Sequence, residues 1–173
     1  VATCTGSFII TRTWRATDNC NNFAEETQII TVRDNINPTI EAPADVTIFT
    51  TSSCTFNANP TVQPIANDNC TTSPTITFED DTVATCTGSF IITRTWRATD
   101  NCNNFAEDTQ IITIRDNINP VIEAPADITI FTNNNCEFSA IPTVMAVATD
   151  NCTTSPAITY KDDTTATCTG YYI

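Results

Sequence analysis

The chain has 173 residues and a formal net charge of -13, from 20 acidic and 7 basic side chains, with no histidine, nine cysteines and three glycines. That balance argues against nucleic acid as a partner, because phosphate binding needs a basic surface, and no apolar run is long enough to span a bilayer. With no nucleophile beside a base, no phosphate-cradling glycine loop and no paired carboxylates at a cleft, the chain is expected not to be an enzyme and to carry no catalytic cofactor.

From the N-terminus, VATCTGSFIITRTWRATDNCNNFAE at Val1 to Glu25 returns unchanged at Val83 to Glu107. Cys4, Cys20, Cys54 and Cys70 recur 82 residues later as Cys86, Cys102, Cys136 and Cys152, and Cys168 opens a third round. A fixed long period means one unit copied in tandem. The spacing predicts three segments: 1–36 as the C-terminal strands of a preceding repeat, 37–118 as a complete unit, and 119–173 as the N-terminal part of the next. The first and last nine residues, VATCTGSFI and TATCTGYYI, match in register, which predicts a section of a longer array.

Within 37–118, ADVTIFT at 44–50 alternates as a strand does. Residues 55–66 are extended but interrupted by Pro60 and Pro64. Asn67-Asp68-Asn69-Cys70 is a turn cluster whose Asx side chains cap their own backbone. TITF at 75–78 predicts a short strand broken by Glu79-Asp80-Asp81. SFIITRTWRAT at 89–99 is the strongest strand, rich in β-branched and aromatic residues. A tight connection at 100–104 leads to the returning strand FAEDTQIITIR at 105–115. Helix signals are nearly absent. Trp96 and Trp14 share a strand face with alternating apolar residues and are expected in the core. Arg94 shares that face and needs an aromatic or carboxylate partner there. Together these features predict an all-β chain of small, disulfide-stapled β-sandwich repeats, each of seven strands, laid end to end.

Evenly spaced cysteines with no CxxC and no histidine read as disulfides in an oxidising compartment rather than a zinc site. Cys54 and Cys70 flank the predicted second strand, and Cys86 and Cys102 flank the sixth. A strand of 10–12 residues is roughly 33–40 Å long, whereas bridged Cα atoms lie within about 7 Å. In a seven-strand sandwich those two strands run the same way, so start pairs with start. The expected bonds are Cys54–Cys86, Cys70–Cys102 and Cys136–Cys168, with Cys4, Cys20 and Cys152 paired outside this stretch.

With residues such as TRTWRATDNCNNFAEETQIITV, the chain resembles the hyalin-repeat (HYR-like) family of immunoglobulin-like modules, in particular the tandem arrays of bacterial surface proteins. The aromatic residue followed by Ala98, Thr99-Asp100, Asn104 and a strand closing on Asp116 and Pro120 carries the resemblance. Four cysteines per unit and Arg94 depart from that pattern. The resemblance implies an immunoglobulin-like fold and a secreted or surface-anchored protein, often adhesive or filamentous, without catalysis.

The acidic and amide residues suggest calcium, which takes six to eight oxygen ligands. The first junction would use Asp34, Asn35, Asn37, Glu41, Asp68 and Asp100; the second would use Asp116, Asn117, Asn119, Glu123 and Asp150. Asp-Asn pairs are also good turn formers. Asp81-Thr82-Val83 and Asp163-Thr164-Thr165 look like O-glycan acceptors, placing glycans at Thr82 and Thr164 in an exposed connection.

The copies differ at only four of the first fifty positions (Glu26/Asp108, Val32/Ile114, Thr39/Val121 and Val46/Ile128) and diverge more over 51–79. The leading expectation is a structural repeat of an extracellular stalk or filament whose partners are neighbouring repeats or identical chains. The alternative is an adhesin that binds a glycan or surface ligand through the variable 51–79 region.

Overall fold

The computed structural model describes residues 2–135 and 144–163, and no helix occurs among them. The strands follow in order: β1 (Ala2–Cys4), β2 (Ser7–Thr17), β3 (Phe23–Val32), β4 (Thr39–Glu41), β5 (Val46–Phe49), β6 (Ile65–Asn67), β7 (Thr75–Cys86), β8 (Ser89–Thr99), β9 (Phe105–Arg115), β10 (Val121–Glu123) and β11 (Val147–Thr149). The 82-residue repeat is visible in the backbone. The β2–β3 hairpin pairs Trp14 with Glu26 as β8–β9 pairs Trp96 with Asp108, and β10–β11 repeats the pairing of β4 with β6.

Between residues 39 and 115, β5, β9, β8 and β7 form one four-stranded sheet in that order, while β4 and β6 form a separate antiparallel pair. Pro43 lies between β4 and β5 and has no N–H to continue a ladder. The chain changes sheets there, and β5 joins β9 in parallel, with Val46 opposite Ile112. Hydrogen bonds between β9 and the crossing segment fasten it. Ala42 N–H donates to Asp108 Oδ2 (2.8 Å), Gln110 Nε2 donates to the Ala44 carbonyl (2.8 Å), and Ile111 N–H donates to Asp45 Oδ1 (2.8 Å).

The core lies on one face of the sheet. Ile92, Ile112 and Ile114 are buried together, with Ile48, Ala58 and Phe90 packed around them. Trp96 is 1 % exposed, and its ring centroid lies 5.1 Å from that of Phe78. Arg94 is 2 % exposed on the same face. Its Nε and one terminal nitrogen donate to both Asp80 oxygens (2.7 and 2.8 Å), that same nitrogen donates to the Ala58 carbonyl (2.8 Å), and the guanidinium lies 4.2 Å from the Phe78 ring centroid. The ion pair explains one departure from expectation. Glu79-Asp80-Asp81 does not break a strand; β7 runs through it for twelve residues because the pleat turns Asp80 toward Arg94.

Two further expectations are corrected. The unit has six strands rather than seven: β7 runs unbroken from Thr75 to Cys86 and leaves no separate strands before β8, β4 is added, and the predicted strand over 55–66 contracts to β6, with Pro60 and Pro64 keeping the rest irregular. Thr82 is exposed but sits in the middle of edge strand β7, opposite Ile92, and not in a connection. Thr164 lies outside the described residues.

The β2–β3 hairpin has the same sequence face without the same cover. Trp14 is 58 % exposed where Trp96 is buried, and Arg12 sits 5.5 Å from the Trp14 ring centroid instead of against a carboxylate.

Candidate functional site: the junction between repeat units

The cysteines lie at the ends of the unit. Cys102 follows Asp100 in the β8–β9 turn. One Asp100 oxygen accepts from the Cys102 and Asn104 N–H groups (2.8 Å each) and the other from Asn104 Nδ2 (2.7 Å). Asp68 builds the turn beside it through the Cys70 and Thr71 N–H groups (2.9 and 2.7 Å), and Thr71 Oγ1 accepts from Asn101 N–H (3.2 Å). Cys70 and Cys102 therefore occupy one end of the unit. Cys54 belongs to the opposite end. It follows the Thr51 turn in a left-handed conformation (φ 55°), and its sulfur is 3.1 Å from where a Cβ on Gly88 would lie, next to the β7–β8 hairpin that begins at Cys86.

The bonds run between units. Cys4 joins Cys102 and Cys54 joins Cys152, with Cα atoms 5.3 and 4.9 Å apart and 98 residues separating each pair. This overturns the expected Cys54–Cys86 and Cys70–Cys102 bonds, and it places Cys4 and Cys152 in bonds within the chain. The reasoning about ends holds, since Cys54 shares an end with Cys86 and Cys70 with Cys102. Strand lengths within one unit carry no information about a cysteine arriving from the next. Cys4 and Cys152, from the neighbouring repeats, reach Cys102 and Cys54 and take the single bond each sulfur can make. Cys20, Cys70 and Cys86 are unbonded in the chain. The expected Cys136–Cys168 pair lies outside the described residues.

The approach requires glycine. Gly6 and Gly88 have φ of 81° and 77°, and a Cβ on Gly88 would fall 2.7 Å from Cys152 Cβ, as one on Gly6 would fall 2.8 Å from Cys70 Cβ. Gly88→Ala is expected to cost at least about 1–2 kcal/mol through the left-handed backbone alone, and to leave Cys54 and Cys152 as thiols that a maleimide label counts. An unchanged melting curve and no added label would dispose of the close-approach argument.

Ser7 and Ser89 hold the two junctions alike. Asp34 N–H donates to Ser7 Oγ (2.7 Å) and Asp116 N–H to Ser89 Oγ (2.9 Å). At the first junction this brings Asp34 to Asp68 and Asp100, one carboxylate oxygen of each lying within 4.8 Å of the others. Asp100 is 5 % exposed and fully engaged by its turn, but Asp34 Oδ2 and Asp68 Oδ1 are buried without a hydrogen-bond partner. Of the six residues expected at this junction, the structure brings these three together. Asn35, Asn37 and Glu41 are exposed and not part of this group. At the second junction Asp116 Oδ1 accepts from Asn151 Nδ2 (3.2 Å), and Asp150 caps the Cys152 and Thr153 N–H groups (3.0 and 2.7 Å). Asn117, Asn119 and Glu123 are exposed.

Local donors set the titration of the turn carboxylates. The Thr71 N–H holds the Asp68 carboxyl below its usual value, as the Thr153 N–H does for Asp150 and the Asn22 side chain for Asp18. Burial, then the Asp34 charge, pushes the Cys70 thiol up. Compared with known proteins, the chain matches no family model and no curated protein.

Proposed function

We propose that the chain is a structural section of an extracellular array of 82-residue units, a stalk or filament with no catalytic role. The observation that supports this reading best is the direction of the two disulfides, which fasten one repeat to the next rather than closing a unit on itself. Bonds of this kind need an oxidising compartment and serve a chain whose units must stay docked. The immunoglobulin-like sandwich and the HYR-like assignment belong to the same reading. Electron microscopy of the native particle tests it: unbroken density repeating once per unit is expected, and an isolated globular particle would overturn it. Saturable binding in a glycan or surface screen, lost on substitution within 51–79, would favour the adhesin instead.

A second reading, calcium at the junction, is favoured by the orphaned oxygens of Asp34 and Asp68 beside Asp100. Three clustered carboxylates with two buried, unpartnered oxygens suit a hard cation better than an empty site. Calcium at a hundredfold excess over its dissociation constant would add about 2.7 kcal/mol. The expected result is a melting temperature raised by calcium, lowered by chelator, and indifferent to both in Asp34→Asn. A melting curve that no chelator moves would remove the ion from the site.

A further inference from the structure

The two disulfides are each present once, yet the chain contains four cysteine positions per repeat. Shifting each bond by one period assigns the others. Cys86 is the repeat equivalent of Cys4, Cys20 of Cys102, and Cys70 of Cys152. Their surroundings already match. Cys70 lies against Gly6 as Cys152 lies against Gly88, and at the Gly88 junction the sulfur of Cys54 completes the bond. Cys70 is thus seated for the bond that Cys152 makes.

We infer that every junction carries two disulfides and that these join short segments into two continuous covalent threads along the array, a conclusion that rests on the structural reading above. The first thread enters a unit at Cys102, follows β8 backwards to Cys86 and leaves for the next unit. The second runs from Cys70 to Cys54 and leaves beside it. Each thread takes 16 residues from an 82-residue period, so the rest of the repeat hangs outside the load path. The β8 segment is already extended along most of that stretch. Sixteen residues reach at most roughly 53–58 Å, and a whole unfolded period would reach about 270–295 Å. A pulled array therefore has almost no length to release, even if every sheet in it melts. Each bond forms by thiol–disulfide exchange with a disulfide-bearing oxidase: the two thiols lose two electrons and two protons to form the S–S bond, and the donor's disulfide is reduced to a dithiol.

The test stretches a native fibre between a surface and a cantilever, before and after reduction with a phosphine. The oxidised fibre should show no stepwise lengthening before covalent rupture. The reduced fibre should lengthen in steps of up to about 240 Å as single units unfold. Steps of that size in the oxidised fibre would overturn the threads while leaving the array intact. Alkylation of the native fibre gives a second reading. No label on the Cys20, Cys70 and Cys86 positions is expected, and labelling of any of them in internal units would also overturn the proposal. Failure to find a fibre by microscopy would count against the structural function, whereas these two measurements address the path of the bonds.

Discussion

Asp80→Ala is expected to destabilise the unit by about 3 kcal/mol, the lower end for removing one partner of a buried pair. The lower end applies because the Asp80 side chain is 30 % exposed while Arg94 is 2 % exposed. The loss has a specific origin. Arg94 would keep only the Ala58 carbonyl and the aromatic faces, and one of its terminal nitrogens already lacks a partner. For a unit of this size such a loss lowers the melting temperature by roughly 12–24 °C. Circular dichroism on heating measures it. The double variant Asp80→Ala with Arg94→Met should recover most of the loss, since an apolar pair of similar volume replaces a buried ion pair at little cost. A single variant that melts with the parent protein would show that the pair contributes only what a surface salt bridge does.

The second large effect is expected from Cys152→Ala. Its bond to Cys54 closes a loop of 98 residues, and a loop near that length is worth about 4.7 kcal/mol in the chain-entropy model. Because the bond joins two units, the variant should do more than shift a midpoint. Denaturant unfolding should broaden or split as the units part before they melt. A peptide digest without reductant should retain the Cys4–Cys102 link and lose the other. If the variant unfolded at the denaturant concentration of the parent chain, the bond would be a bystander to stability.

Much of the sheet was legible because its strands carry their own signals. The β8–β9 hairpin has β-branched and aromatic alternation on both arms and an Asp-Asn turn between them. Arg94 on a core face announced that it needed a partner. What hid the partner was a local rule: an acidic triplet reads as a break, and only the arrival of β7 beside β8 gives Asp80 its cation. The prolines flagged 55–66 as irregular, but the merging of the stretch after 75 into one long strand depends on β7 pairing with β8 along its whole length. The junction was half legible. Strand length placed each cysteine at the correct end, and turn chemistry brought Asp68 and Asp100 beside the linker. The choice of bond could not be read, because it is a contact between repeats and the spacing argument described one. Asn35, Asn37 and Glu41 follow Asp34 closely in sequence; the Ser7 anchor of Asp34 sets it apart from them.

The buried arginine has one more consequence. Alternating threonines and apolar residues run along β7 and β8, so sliding one strand by two residues would keep every side chain on its own face. Such a slip would set Phe78 or Thr82 across from Arg94 in place of Asp80 and strand a guanidinium in the core. On its core-facing side this edge strand thus carries a single charged key, and the key fits one register. In a chain of nearly identical repeats, where many wrong pairings of strands are chemically similar, the ion pair selects among alignments that apolar packing would treat alike.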